Sequence, residues 1–228
     1  MMFDWFLSIF LDERCPLCRR AAGGDFVCQG CDRQLQRCQF SNPKYYWQGN
    51  FPLFVLGHYD GTLKGAIAAM KYNNQPALGT WLGEKLAYTW QTSFSAPPKV
   101  TVIPVPMHSE KQQQRGFNQA GLIAKRFAEI NKLRCDHVSL QRTKATKPLF
   151  ELNVAQRQQE MEGAFSFDAK TFRQRPQKPV LLVDDIYTSG TTAREARRVL
   201  QENGVSVLGI VAIATPKLPP TPKSPKDK

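Results

Sequence analysis

The sequence predicts an α/β protein: a parallel sheet with flanking helices, preceded by a small N-terminal zinc-binding module. Three observations carry this prediction. Four cysteines stand as two close pairs near the start, CPLC and CQGC. From Phe51 onward, short runs of β-branched and apolar residues alternate with stretches of helical periodicity, the pattern of a mainly parallel sheet covered on both faces. Near the end, the apolar run VLLVDDIYTSGTT stops at two aspartates and passes through a hydroxyl-rich loop into a helix. With 228 residues, 42% of them hydrophobic, the chain can bury one sizeable core with a satellite beside it.

Residues 3–11 are apolar and read as a short amphipathic helix. A signal peptide would want a basic leader before the run and small residues after it, and neither is present. Residues 1–50 then form the metal module. In CPLC and CQGC, Cys15, Cys18, Cys28 and Cys31 point four thiolates at one centre, which suits a tetrahedral Zn2+ site. A disulfide staple is the rival reading; a chain without an export signal keeps its thiols reduced. Four sulfur ligands leave no open position, so such a zinc is structural. Cys38 is a spare thiol, read as an ordinary buried cysteine or a substitute ligand. Arg14, Arg19, Arg20, Arg33 and Arg37 surround the module and suit nucleic acid or plain solvation equally.

Residues 38–50 mark the boundary with the body, 51–215. Tyr45, Tyr46 and Trp47 lie there, either stacking surfaces for bases or packing at the junction. Strands are predicted at 51–59, 99–105, 135–140, 178–184 and 205–214, and helices at 62–72, 76–90, 118–130 and 191–203. Residues 216–228 alternate prolines and lysines with too little that is apolar to anchor them and read as a disordered basic tail. No apolar stretch is long enough to span a bilayer.

Lys and Arg total 31 against 19 acids, a net charge of +12, which favours polyanionic partners. Part of this lies inside the folded body. Between Lys111 and Lys147 nine basic residues face two acids.

The opening of a parallel sheet at the carboxyl ends of its strands is where ligands bind, and Asp184 and Asp185 fall there. Thr188, Ser189, Gly190, Thr191 and Thr192 follow and run into a helix start, where amides and hydroxyls converge on an anion. Carboxylates repel phosphate, but they accept hydrogen bonds from vicinal ribose hydroxyls or hold Mg2+. Together the two parts describe a phosphorylated ribose. The GxxxxGK[ST] loop of an ATPase and the GxGxxG of a dinucleotide site are both absent. A capped helix after a strand, with Ser189 or Thr191 as N-cap, is the plain structural alternative.

VLLVDDIYTSGTT resembles the phosphoribosyl-pyrophosphate (PRPP) signature of type I phosphoribosyltransferases. With CPLC and CQGC, AIAAMKYNNQPALGTWLG and VIPVPMHSEKQQQRGFNQA, the chain is similar to the ComF family of competence proteins, also called GntX. The resemblance implies a phosphoribosyltransferase-like fold and a cytoplasmic role in DNA uptake by natural transformation, handling single-stranded DNA, beside a helicase-like ATPase in some bacteria. It places Asp184 and Asp185 at the ribose hydroxyls of PRPP with Mg2+, Thr188 to Thr192 at the 5′-phosphate, and Arg115 and Lys71 at the pyrophosphate. Arg157 matches the family pattern, whereas Leu149 and Glu160 depart from it. Of the three histidines, His58 ends a strand, His137 alternates within one, and His108 sits in the pyrophosphate segment. An active transferase on a small base or amine, and a scaffold for uptake proteins, are the alternative readings.

Overall fold

The computed structural model describes residues 14–146, 152–173 and 178–216. The expectations for the 3–11 helix, the basic tail and Leu149 lie outside them.

Five strands form one wholly parallel sheet: β1 (Leu53–His58), β2 (Thr101–Pro104), β3 (Arg134–Cys135), β6 (Val180–Ile186) and β7 (Val207–Thr215), in the order β1-β7-β6-β2-β3. The period of two sends alternate residues to opposite faces, and both faces are buried. Phe54, Val102, Leu181, Val183 and Val211 face one apolar cluster; Val55, Ile103, Val180, Leu182 and Ile210 face another. This double burial is why the strands read as nearly continuous apolar runs.

Helices α2 (Gly61–Tyr72), α3 (Ala77–Ser93) and α5 (Gln119–Asn131) cover the first face. Trp90 of α3 anchors it, with ring centroids 4.5 Å from Phe94, 5.0 Å from Trp47 and 5.1 Å from Phe54. Gly83 lets α5 come close: a Cβ there would lie 2.6 Å from the Ile123 carbonyl oxygen. The metal module, with α1 (Gln29–Cys38), joins this same cluster through Cys15, Val27, Cys31 and Leu35. Trp47 therefore packs in the core, while Tyr45 keeps 48% of its surface exposed.

The second face carries α7 (Thr191–Glu202) together with α6 (Val154–Met161) and a two-stranded antiparallel ribbon, β4 (Leu140–Arg142) with β5 (Phe165–Phe167). Glu195 of α7 accepts the Gly163 N–H at 2.8 Å and ties the ribbon down.

The predicted strand at 135–140 is corrected. Asp136 accepts N–H bonds from Val138 and Ser139 at 3.0 Å each and the Ser139 hydroxyl at 2.6 Å. A side chain that bonds its own backbone this way competes with the ladder, so the run breaks into β3 and β4, which belong to different sheets. His137 lies in the turn between them rather than within a strand.

Candidate functional site

The sheet opens at the carboxyl ends of β2 and β6 into a cleft of about 240 Å³. β6 continues through both aspartates to Ile186, so alternation turns them apart. Asp185 follows Leu181 and Val183 to the α2 face and meets Lys71 at 2.7 Å. Asp184 follows Val180 and Leu182 to the ribbon face, where its charge acts on Arg142 of β4. Lys71 thus pairs with Asp185 and also feels Asp184, Arg142 feels Asp184 from the other side, and all four groups line the cleft.

These neighbours set the protonation states. Burial first, and the adjacent Asp185 charge second, push Asp184 from 3.8 up to about 8. Burial works against the Lys71 ammonium, but Asp185, helped by Asp184 and Tyr72, outweighs it and holds the pKa above the usual lysine value. Arg142 is lowered by burial, partly offset by Asp184 and Glu160. Lys111 is lowered by burial and by the like charges of Arg142 and Arg115. A site that penalises Lys111 and Arg142 in this way gains when an anion enters.

The raised Asp184 carboxyl has a consequence for stability. Unfolded, it ionises near 3.8; folded, it keeps its proton to about 8. The folded state binds the proton more tightly, so stability falls as pH rises across that window and levels off above it. Asp184→Asn is therefore expected to melt higher than the parent at pH 9, by about 2–4 °C for each ~1 kcal/mol recovered. The gap should close by pH 4, as thermal melts across pH would record.

Arg115 ends α4 (Ser109–Arg115), whose stop is Gly116 at φ 84, and its guanidinium lies 5.7 Å from the Tyr72 ring centre. Lys111, on the same helix, donates to the Thr146 carbonyl at 3.3 Å. Gln119 opens α5 on the cleft wall, 2% exposed, and its Nε2 has no hydrogen-bond partner. His108 is the N-cap residue of α4 and sits 3.8 Å from Glu110.

Among the hydroxyls, Thr192 lines the cleft, and Thr191 is buried with its Oγ1 2.9 Å from Ser189 Oγ. The N-cap of α7 is Gly190, at φ 72, and no side chain caps the helix. Ser189 and Thr191 do not take that role, so the first-turn amides are not claimed by a capping side chain. Gly190 is required on two counts: its φ is left-handed, and a Cβ would meet Tyr187 Oη at 2.2 Å. Thr188 is exposed.

The cleft thus brings together Lys71, Arg115, Asp184, Asp185 and Thr192. Lys111, Arg142 and Gln119 join them without having been singled out from the sequence. The first two were visible only as members of the basic run from 111 to 147.

The second cluster is the four-cysteine knuckle. The ligand sulfurs of Cys15, Cys18, Cys28 and Cys31 lie within 4.8 Å of one another, and all six cysteines carry free thiols. A tetrahedron with Zn–S bonds of about 2.3 Å has edges of about 3.8 Å, so the donor set fits a zinc ion. Burial would raise Cys15, but N–H bonds from Cys28, Cys18 and Leu17 bring it down to about 6. Cys31 is raised by burial, by its sulfur neighbours and by the Cys15 charge. Cys38 stands apart, against the carbonyls of Gln34 and Asp60 at 3.5 Å.

No protein-family model matches the chain. Among curated proteins, "Competence protein F" of Haemophilus influenzae is 27% identical over 231 residues, covering 90% of this chain and 98% of that one. The chain is similar to proteins named for competence. "Competence protein ComFC" of Bacillus subtilis is 25% identical, with 83% and 72% of the two chains covered. "DNA utilization protein YhgH" of Escherichia coli K12 is 23% identical, with 86% and 87% covered. Among solved structures, the adenine phosphoribosyltransferase of Leishmania donovani is 14% identical, with TM-score 0.38, over 82% of this chain and 68% of that one. That of Trypanosoma brucei is 8% identical, with TM-score 0.39. Likenesses this loose bear on no part of the site, and among the described residues no helix is long and apolar enough to cross a membrane.

Proposed function

We propose that this chain is a cytoplasmic competence protein that handles incoming single-stranded DNA and carries a PRPP site in the cleft above β6. The observation that carries the PRPP reading is the convergence of Lys71, Lys111, Arg115 and Arg142 with Asp184 and Asp185 at the carboxyl ends of a parallel sheet. The roles divide by chemistry. Asp184 and Asp185 accept from the ribose hydroxyls. The amides and hydroxyls from Thr188 to Thr192 receive the 5′-phosphate at the uncapped start of α7. Lys71, Lys111, Arg115 and Arg142 neutralise the pyrophosphate, and Gln119 supplies its unpartnered amide. Asp184 is also an oxygen donor suited to Mg2+, which would add charge neutralisation of the diphosphate when bound.

The DNA role rests on the relatives' names, the net charge of +12 and the basic faces of the fold. A helicase-like ATPase is the partner that the ComF resemblance offers. Titration calorimetry of Mg–PRPP into the zinc-loaded protein tests the site. Micromolar or tighter binding of one PRPP per chain supports it, and no heat from a folded protein would remove PRPP from the reading and leave DNA handling to stand alone.

A further inference from the structure

The basic run from 111 to 147 does not fold into one surface. Lys111, Arg115 and Arg142 face the cleft. Lys132 and Arg134 come out at the opposite end of the sheet. There, before the first residues of β2, β3 and β6, lies a second groove of about 470 Å³. Helix α5 connects the two ends: Gln119 and Ala120 at its start line the cleft, Asn131 at its end lines the groove. Thirteen residues of helix place the sites about 20 Å apart.

The groove brings Lys99, Lys132, Arg134 and Lys178 together from three separate segments, all four exposed, and no acid lines it. Lys99, Lys132 and Lys178 make no ion pair among the described residues. Between the cations the floor is apolar, from Pro97, Pro98 and Leu133. Three lysine charges left close together without ion pairs, with Arg134 beside them, raise the local potential and draw a polyanion. A duplex would bring only phosphates to the rim. A single strand brings phosphates to the rim and unstacked bases to an apolar floor.

We propose that this groove, at the amino ends of the strands, binds the phosphate backbone of single-stranded DNA, separately from the PRPP cleft. The proposal rests on the DNA-handling reading above and assigns it a surface. No exposed aromatic lines the groove, since Trp90 is fully buried, so binding is electrostatic and indifferent to sequence. It also follows that DNA and PRPP do not compete.

The test is fluorescence anisotropy of a labelled oligo-dT with the full zinc-loaded protein across a salt series. Four phosphate contacts on a single strand give a log–log salt slope of about −2.8, and removing three of them leaves about −0.7. Lys99→Gln/Lys132→Gln/Lys178→Gln is expected to bind at least about tenfold more weakly at 0.1 M salt with that flattened slope. Arg33→Gln/Arg37→Gln, on the metal module, is expected to bind like the parent, and saturating Mg–PRPP to leave the affinity unchanged. The proposal is overturned if the triple variant keeps parental affinity and slope, if the loss falls on the Arg33/Arg37 variant, if PRPP displaces the oligonucleotide, or if a duplex of equal length binds as tightly. Failure of the parent protein to bind oligo-dT at all is a different result, which removes the DNA-handling reading itself.

Discussion

Asp184→Asn/Asp185→Asn is expected to lose Mg–PRPP binding by about 10²–10⁴-fold, since Asp185, and Asp184 once bound Mg2+ has displaced its proton, each contribute charge-assisted hydrogen bonds of about 1.5–3 kcal/mol. The two halves of the variant act differently. Asp185→Asn removes the only carboxylate within salt-bridge distance of Lys71 among the described residues, leaving that ammonium in a largely buried place without its counter-charge. Part of its effect is therefore on the fold. Asp184→Asn removes the cost of burying a charge there, and with it the repulsion from Asp185, the two causes that raise its pKa, so this single variant is expected to be at least as stable as the parent at neutral pH while binding PRPP more weakly. Calorimetry beside thermal melts separates the two quantities. Parental PRPP affinity in a folded double variant would place the ligand away from β6.

Removal of a zinc ion held by the four cysteines is expected to cost more stability than any single side chain. Cys15 and Cys31 are buried in the same apolar cluster as Leu35, Leu63 and Trp90. Loss of the ion would leave coupled thiols and thiolates of like charge packed within 4.8 Å of each other under the sheet's first face. Structural zinc binding supplies folding free energy directly. A strong chelator, or Cys28→Ser, is expected to release one zinc per chain and lower the melting temperature by more than about 10 °C, corresponding to a loss of more than about 3 kcal/mol. Metal analysis and melts read both numbers. Zinc release with an unchanged melting curve would mean the ion does not hold the module to the body.

The sequence made the sheet legible because burial on both faces writes each long strand as an unbroken apolar run, as in Leu181 to Val183. It made the cysteine cluster legible because paired spacing is local. The 135–140 run misled because Asp136 spends its side chain on nearby amides. Helix α4, SEKQQQR, buries no residue and so has no apolar period to read. Helix α6 is announced instead by a capping box between Asn153 and Gln156, a signal independent of hydrophobic pattern. The cleft was half legible. Asp184, Asp185 and the hydroxyl loop are contiguous, whereas Lys71, Lys111 and Arg142 arrive from α2, α4 and β4, and only folding joins them. The same separation of sequence from space divides one basic run between two ends of the molecule.

The stretch joining the metal module to the body runs along the outer side of β1. Phe40 N–H bonds to the Leu56 carbonyl at 2.9 Å, Val55 N–H to Pro43 at 3.1 Å, and Leu53 N–H to Tyr46 at 2.9 Å. Gly57 permits the approach, since a Cβ there would lie 2.3 Å from the Cys38 carbonyl oxygen. This border of the sheet is thereby hemmed by the chain's own backbone, and the opposite border, β3, is two residues long. Neither offers a row of free amides and carbonyls on which another chain could lengthen the sheet. Fibre growth and strand exchange through the main sheet are closed routes, and any protein that docks here must do so on helices, loops or side chains.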